Sequence, residues 1–128
     1  MSPLIIYHAG IVFFRLKDWP GYYISRGGQV LASKRKRLIL TQRLQNKGYL
    51  RVMLHRKGAK VKKVTVHRLV ALTFLDQPAA RNQVNHKDGC RQHNHVTNLE
   101  WIDNRGNTRH AREMKLIRHG QHRLPFYG

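Results

Sequence analysis

Between Trp19 and Leu75 the chain carries 14 lysines and arginines and no carboxylate. Within it, Leu50, Val52 and Leu54 alternate with Arg51, Met53 and His55, the period-2 pattern of a half-buried strand. Lys57-Gly58 makes a turn, and Val61 to Val66 returns as the partner strand. A sheet with one apolar face and one cationic face follows, a surface suited to track a phosphate backbone. Tyr49 and Met53 share a strand face with Arg51 and His55, and are expected to pack rather than read bases.

The same segment holds a hairpin signal, Tyr22 to Ser25 and Gln29 to Ala32 around Gly27-Gly28. Upstream, Leu4 to Leu16 reads as one or two short strands around Ala9-Gly10, and Trp19-Pro20-Gly21-Tyr22-Tyr23 as an aromatic turn. Lys34-Arg35-Lys36-Arg37 falls at a turn or strand edge, either as a solvated loop or as a phosphate contact. Arg35, Arg37 and Arg51 are the candidate nucleic-acid contacts of this half. From His67 to Leu75 the period changes. Val66, Leu69, Val70 and Phe74 lie at helical spacing, and Asp76-Gln77-Pro78 ends the helix.

Charge narrows the partner. With 25 basic residues against six acidic ones, the 128-residue chain carries a formal +19. So much self-repulsion on a body the size of one domain is relieved by a polyanion. Nucleic acid comes first, because each neutralised phosphate releases a counterion; charge alone does not choose DNA over RNA. No apolar run approaches the roughly 18 residues of a membrane span. Met1 to Phe14 lacks the basic start and the small-residue cleavage site of a signal peptide. Cys90 is the only cysteine, which excludes an internal disulfide or a CxxC zinc knuckle and fits a reducing, cytoplasmic setting.

The chemistry concentrates in Val84 to Ala111, VNHKDGCRQHNHVTNLEWIDNRGNTRHA. Val84 to Lys87 reads as a short strand, Asp88-Gly89 as a turn, and a polar loop runs to Thr97. Leu99 to Ile102 reads as a second strand, and Asn104 to about Ile117 as a helix with Asn104 and Asn107 in its first turn. Phosphodiester hydrolysis needs a base for water, a cation beside the phosphate and ligands for that cation. Imidazole suits the base role near neutral pH, and hard oxygens suit Mg²⁺ or Mn²⁺. Asn85-His86 next to Asn107 supplies an imidazole and two amide oxygens, provided strand and helix face each other.

Val66-His67-Arg68-Leu69-Val70-Ala71 and Phe74, then Val84-Asn85-His86-Lys87-Asp88-Gly89, Asn94, Asn98-Leu99-Glu100-Trp101, Asn107 and His110-Ala111 together resemble the HNH nuclease family. The branch resembled includes many phage and intron homing endonucleases. The resemblance implies a ββα-metal finger, with His86 as general base and Asn85 and Asn107 as metal ligands. Asn98 corresponds to the central Asn that ties the loop to the strand and keeps His86 in line, and Asn94 does similar loop-fixing work. The best-described motif has Asp where this chain has Asn85, which weakens the expected metal affinity and makes Asp88 either a rival ligand or a simple turn residue. Asp18 to Ser25, Gly28-Gln29-Val30 and Gly48 to Val52 resemble, in abbreviated form, the small module that often precedes this branch.

The expected fold is α+β: a basic β-rich N-terminal lobe (1–65), then a short connecting helix and the C-terminal ββα-metal finger (66–118), then a tail (119–128). The expected activity is metal-dependent DNA cleavage with one Mg²⁺ or Mn²⁺ ion per site. The alternative is a non-catalytic DNA- or RNA-binding protein that keeps the finger as scaffold. Arg105, Arg109 and Arg112 flank the expected C-terminal helix and are further phosphate-contact candidates. His110, one turn beyond Asn107, either touches phosphate or packs. His93 and His95 are expected as solvated loop residues, and Leu99 and Trp101 as core. The partner is expected to be double-stranded DNA with no membrane; monomer and homodimer both stay open. A phage-encoded member of such a family would act in the bacterial host cytoplasm.

Overall fold

A computed structural model describes residues 3–34, 36–77 and 83–103 of the chain. These form ten strands and one α-helix among the described residues: β1 Ile5–His8, β2 Ile11–Arg15, β3 Tyr22–Ile24, β4 Val30–Ala32, β5 Leu38–Ile39, β6 Arg43–Leu44, β7 Leu50–Leu54, β8 Lys62–Thr65, α1 Val66–Phe74, β9 Gln83–His86 and β10 Leu99–Ile102. They build a five-stranded sheet ordered β1-β2-β3-β4-β5, a three-stranded sheet β6-β7-β8, and the two-stranded hairpin β9-β10. Every neighbouring pair is antiparallel.

The hairpin expected around Gly27-Gly28 is present, and the stretch read as one or two strands around Ala9-Gly10 forms two paired strands. β1 and β2 turn at Ala9-Gly10, both at positive φ, and β3 and β4 turn through Gly28 at φ 92°. Ser25 closes the second turn, its Oγ accepting from the Gln29 N–H at 3.0 Å. The centre of the five-stranded sheet is covered on both faces, because successive residues of β3 point to opposite sides. Ile24 and Val30 join the principal core with Leu16, Trp19, Val52, Leu54, Val66, Leu69, Val70 and Leu99. Tyr23 and Leu31 face a smaller cluster with Ile6 and Phe13. The principal core thus runs from the N-terminal strands through the helix to β10.

β7 follows its alternating pattern: Val52 and Leu54 are fully buried while Met53 is exposed. Met53 therefore corrects the expectation that it packs. It lies on the solvent side, its Sδ 3.3 Å from Arg51 Nη1. In α1, Val66, Leu69, Val70 and Ala71 are buried. Phe74 meets Phe14 edge-on at 5.1 Å, with the Arg26 guanidinium over both rings. No helix among the described residues is long and apolar enough to cross a membrane.

Candidate active site

β9 and β10 form a hairpin whose register sets Asn85 opposite Glu100 and His86 opposite Leu99. Asn85 and His86 are both buried, and their side chains have separate surroundings. Asn85 donates its Nδ2 to Glu100 Oε2 at 2.7 Å. His86 Nε2 lies 2.7 Å from Asn94 Oδ1. Because a carbonyl oxygen only accepts, that contact puts the ring hydrogen on Nε2 and leaves the basic lone pair on Nδ1.

Two aromatic neighbours frame His86. His67, in the first turn of α1, sits with its ring centroid 5.0 Å away, and Tyr49 lies 5.9 Å away in a stacked arrangement. Tyr49 also stacks on His67 at 4.7 Å, so it packs as expected, but against the two histidines. The Arg91 guanidinium covers Tyr49 at 5.1 Å and reaches the Lys47 carbonyl. Burial lowers the His86 pKa; the Asn94 contact and the Asp88 charge partly oppose this, while Arg91 and His93 add to it. The net effect keeps the imidazole neutral near pH 7, as a base requires.

The same forces act harder on His67, whose pKa falls to about 4 through burial first, then through His86 and Arg68. Its buried Nδ1 has no hydrogen-bond partner among the described residues. A histidine with a depressed folded pKa binds its proton first in the unfolded chain. Its contribution to stability is therefore complete above the unfolded value of 6.5 and is lost as pH falls towards about 4. Thermal melts should show a midpoint that drops across this window, and His67→Gln should flatten the drop. A slope unchanged by the substitution would mean that other groups set it.

The loop between the strands is tied by Asp88 and Asn98. Asn98 Oδ1 accepts from the Asp88 N–H at 3.2 Å, and its Nδ2 donates to Asp88 Oδ1 at 3.0 Å and to the His93 carbonyl at 2.9 Å. Asp88 Oδ1 also accepts from the Cys90 N–H, and its Oδ2 pairs with His93 Nδ1 at 2.7 Å. Partial burial pushes the Asp88 carboxyl up, but the bonds from His93, Cys90 and Asn98 outweigh it and hold it below the ordinary range. Asp88 thus has the environment of a turn residue. His93 is a partly solvated loop residue whose ring also pairs with Asp88. His95 is exposed as expected and accepts from the Thr97 N–H at 3.2 Å, capping the 3₁₀ turn Val96–Asn98.

The N-terminal half supports this loop directly. Val96 N–H bonds to the Arg26 carbonyl at 2.8 Å, and a Cβ on Gly28 would lie 3.1 Å from Asn94 Cβ and 3.3 Å from Val66 Cγ1. Gly28→Ala is expected to cost about 1–3 kcal/mol from its positive φ, and more from the displaced Asn94. Chemical denaturation should read that loss; a stability equal to wild type would show that the contact yields freely.

Among the expected site residues, Asn85, His86, Asn94 and Asn98 share one hairpin and its loop. Arg51 sits on the solvent side of β7, and Arg37 is exposed and donates to the Tyr7 carbonyl at 3.1 Å. Arg35, Arg105, Asn107, Arg109, His110 and Arg112, and the helix expected from Asn104, lie outside the described residues. No group of three or more His, Cys, Asp or Glu side chains suited to a metal occurs among the described residues. Three residues at the site were not singled out from the sequence: Tyr49 as its stacking wall, His67 and Glu100. The last two stood inside the motif blocks, and a polar residue opposite a motif position was the available signal.

No protein-family model matches the chain. It is 40% identical over 102 residues to an uncharacterised HNH endonuclease of Acanthamoeba polyphaga mimivirus, covering 79% of this chain and 25% of that protein. It is 38% identical over 88 residues to the DNA endonuclease I-HmuI of Bacillus phage SP01, covering 68% of this chain and 49% of that one. A solved structure of DNA binding and cleavage by the HNH homing endonuclease I-HmuI superposes with a TM-score of 0.69 at 29% identity, over 88% of this chain and 61% of that one. The chain spans between about a quarter and about half of the length of these two curated relatives.

Proposed function

The chain belongs to the HNH endonuclease family, and from that membership we propose that it hydrolyses DNA phosphodiester bonds with His86 as general base. One observation carries the reading: a buried imidazole is held at Nε2 by the Asn94 Oδ1 at 2.7 Å, and a carbonyl acceptor there implies a free lone pair on Nδ1. In this reading His86 Nδ1 takes the proton of the attacking water. Asn94 holds the ring, and Asn98 holds the loop that carries Asn94. Tyr49 and His67 wall the imidazole, and burial keeps it neutral.

Asn85 and Asn107 are the proposed cation ligands. At Asn85 the donor chemistry fits a hard divalent ion, since the amide offers an oxygen and a carboxylate lies beside it. Mg²⁺ or Mn²⁺, one per site, supplies charge neutralisation at the phosphate and at the departing 3′ oxygen when bound. Arg35, Arg37, Arg51, Arg105, Arg109 and Arg112 are proposed to grip the phosphates of double-stranded DNA, with His110 as a further contact. The phage and mimivirus origin of its relatives favours action inside a host cell.

A labelled duplex incubated with Mg²⁺ or Mn²⁺ tests the proposal. Cleavage to 3′-hydroxyl and 5′-phosphate ends, abolished by EDTA, is expected. A duplex bound but left intact with every divalent ion would favour the non-catalytic scaffold, the reading that Asn85 in a carboxylate position supports.

A further inference from the structure

The unexplained feature of the hairpin is Glu100. In a chain with six acidic residues against 25 basic ones, a carboxylate stands directly across the ladder from Asn85. Its Oε2 accepts from the Asn85 Nδ2 at 2.7 Å, the short distance of a charge-assisted bond. That bond settles which end of the buried amide is which: the nitrogen is committed to Glu100, and the oxygen turns the other way. The carboxylate of the loop, Asp88, already spends both oxygens on Cys90, Asn98 and His93.

We propose that Glu100 is the anionic member of the cation site: its carboxylate orients Asn85 oxygen-first towards the ion and supplies the negative charge that an amide lacks. The inference rests on the nuclease reading above and deepens it. A neutral amide binds a divalent cation weakly. An adjacent carboxylate corrects this by polarising the amide through the hydrogen bond and by placing its own negative charge next to the site. The pair Asn85–Glu100 carries the same total charge as a single Asp at position 85 would. An Asn in the motif is then compatible with metal use, because the charge has moved one strand over.

Glu100→Gln separates charge from geometry, since its amide oxygen still accepts from Asn85. Free Mn²⁺ is followed by electron paramagnetic resonance with the full chain and a short duplex, and folding by thermal melts. Glu100→Gln is expected to weaken Mn²⁺ binding about 10–100-fold, the usual loss on removing a supporting partner, with a cooperative melt that shows the chain still folded. Asn85→Asp added to Glu100→Gln is expected to restore binding by returning the charge to position 85. Unchanged Mn²⁺ binding in Glu100→Gln, or no recovery in the double variant, would overturn the inference. Failure here is distinct from failure of the nuclease reading. A wild type that cuts with Mn²⁺ while Glu100→Gln binds normally sinks only Glu100. A wild type whose Mn²⁺ binding depends on Glu100 but which cuts no DNA sinks only the nuclease.

Discussion

Replacing His86 with alanine is expected to slow DNA cleavage by about 10²–10⁴-fold, the range of a lost general base, while DNA affinity stays unchanged. The two effects separate because, in the proposed reading, affinity would come from the +19 charge and phosphate contacts, whereas His86 is buried and held neutral. The substitution also removes the ring that packs against His67 and Tyr49 and leaves Asn94 Oδ1 without its partner. Some loss of stability is therefore expected, and rates should be compared at a temperature where both proteins are folded. Single-turnover cleavage at saturating protein reads the chemical step, and a filter-binding titration at matched salt reads affinity. A fall in affinity equal to the fall in rate would move His86 from chemistry to binding. The acid limb of the wild-type rate should lie below pH 6.5, since burial lowers the His86 pKa from that value.

The second large effect is structural. Asn98→Ala should destabilise the chain by about 1.5–4.5 kcal/mol, as three side-chain hydrogen bonds at about 0.5–1.5 kcal/mol each are lost together. Those bonds reach the Asp88 N–H, Asp88 Oδ1 and the His93 carbonyl. Asn98 is itself buried, so water cannot readily replace them. The loop they hold leads to Asn94, and thus to the ring of His86. Cleavage should consequently fall further than the fraction unfolded explains. Urea unfolding gives the first number and single-turnover cleavage of the folded fraction the second. A variant as stable as wild type would show that Asp88 and His93 hold the loop without Asn98.

Local pattern carried most of the framework. The turns at Ala9-Gly10 and Gly27-Gly28, the strand Leu50–Leu54 with its partner, and the helix Val66–Phe74 all follow from turn chemistry and periodicity. So do the strands of the site hairpin, with Leu99 and Trp101 in the core. β5 and β6, two residues each, were not legible because no period can be read from a pair. Met53 was misread because the alternation that buries Val52 and Leu54 must expose it. Within the site, His86 and the asparagines were visible as a motif. Its walls were not. Tyr49 reaches His86 across 37 positions of sequence, and only the packed core brings them to 5.9 Å. Glu100 was legible as part of a strand, but its meaning lies in the β9–β10 register, which the loop between the strands fixes. His93 depended on the same loop, whose path is set by Asp88 and Asn98 rather than by hydrophobic pattern.

The most direct test of the central claim is a supercoiled plasmid incubated in Mg²⁺ or Mn²⁺ with wild type and with His86→Ala. Conversion of the plasmid to open-circular or linear DNA by wild type alone, suppressed by EDTA, is the predicted result. A plasmid left supercoiled by wild type with either ion, or cut equally by His86→Ala, would contradict it.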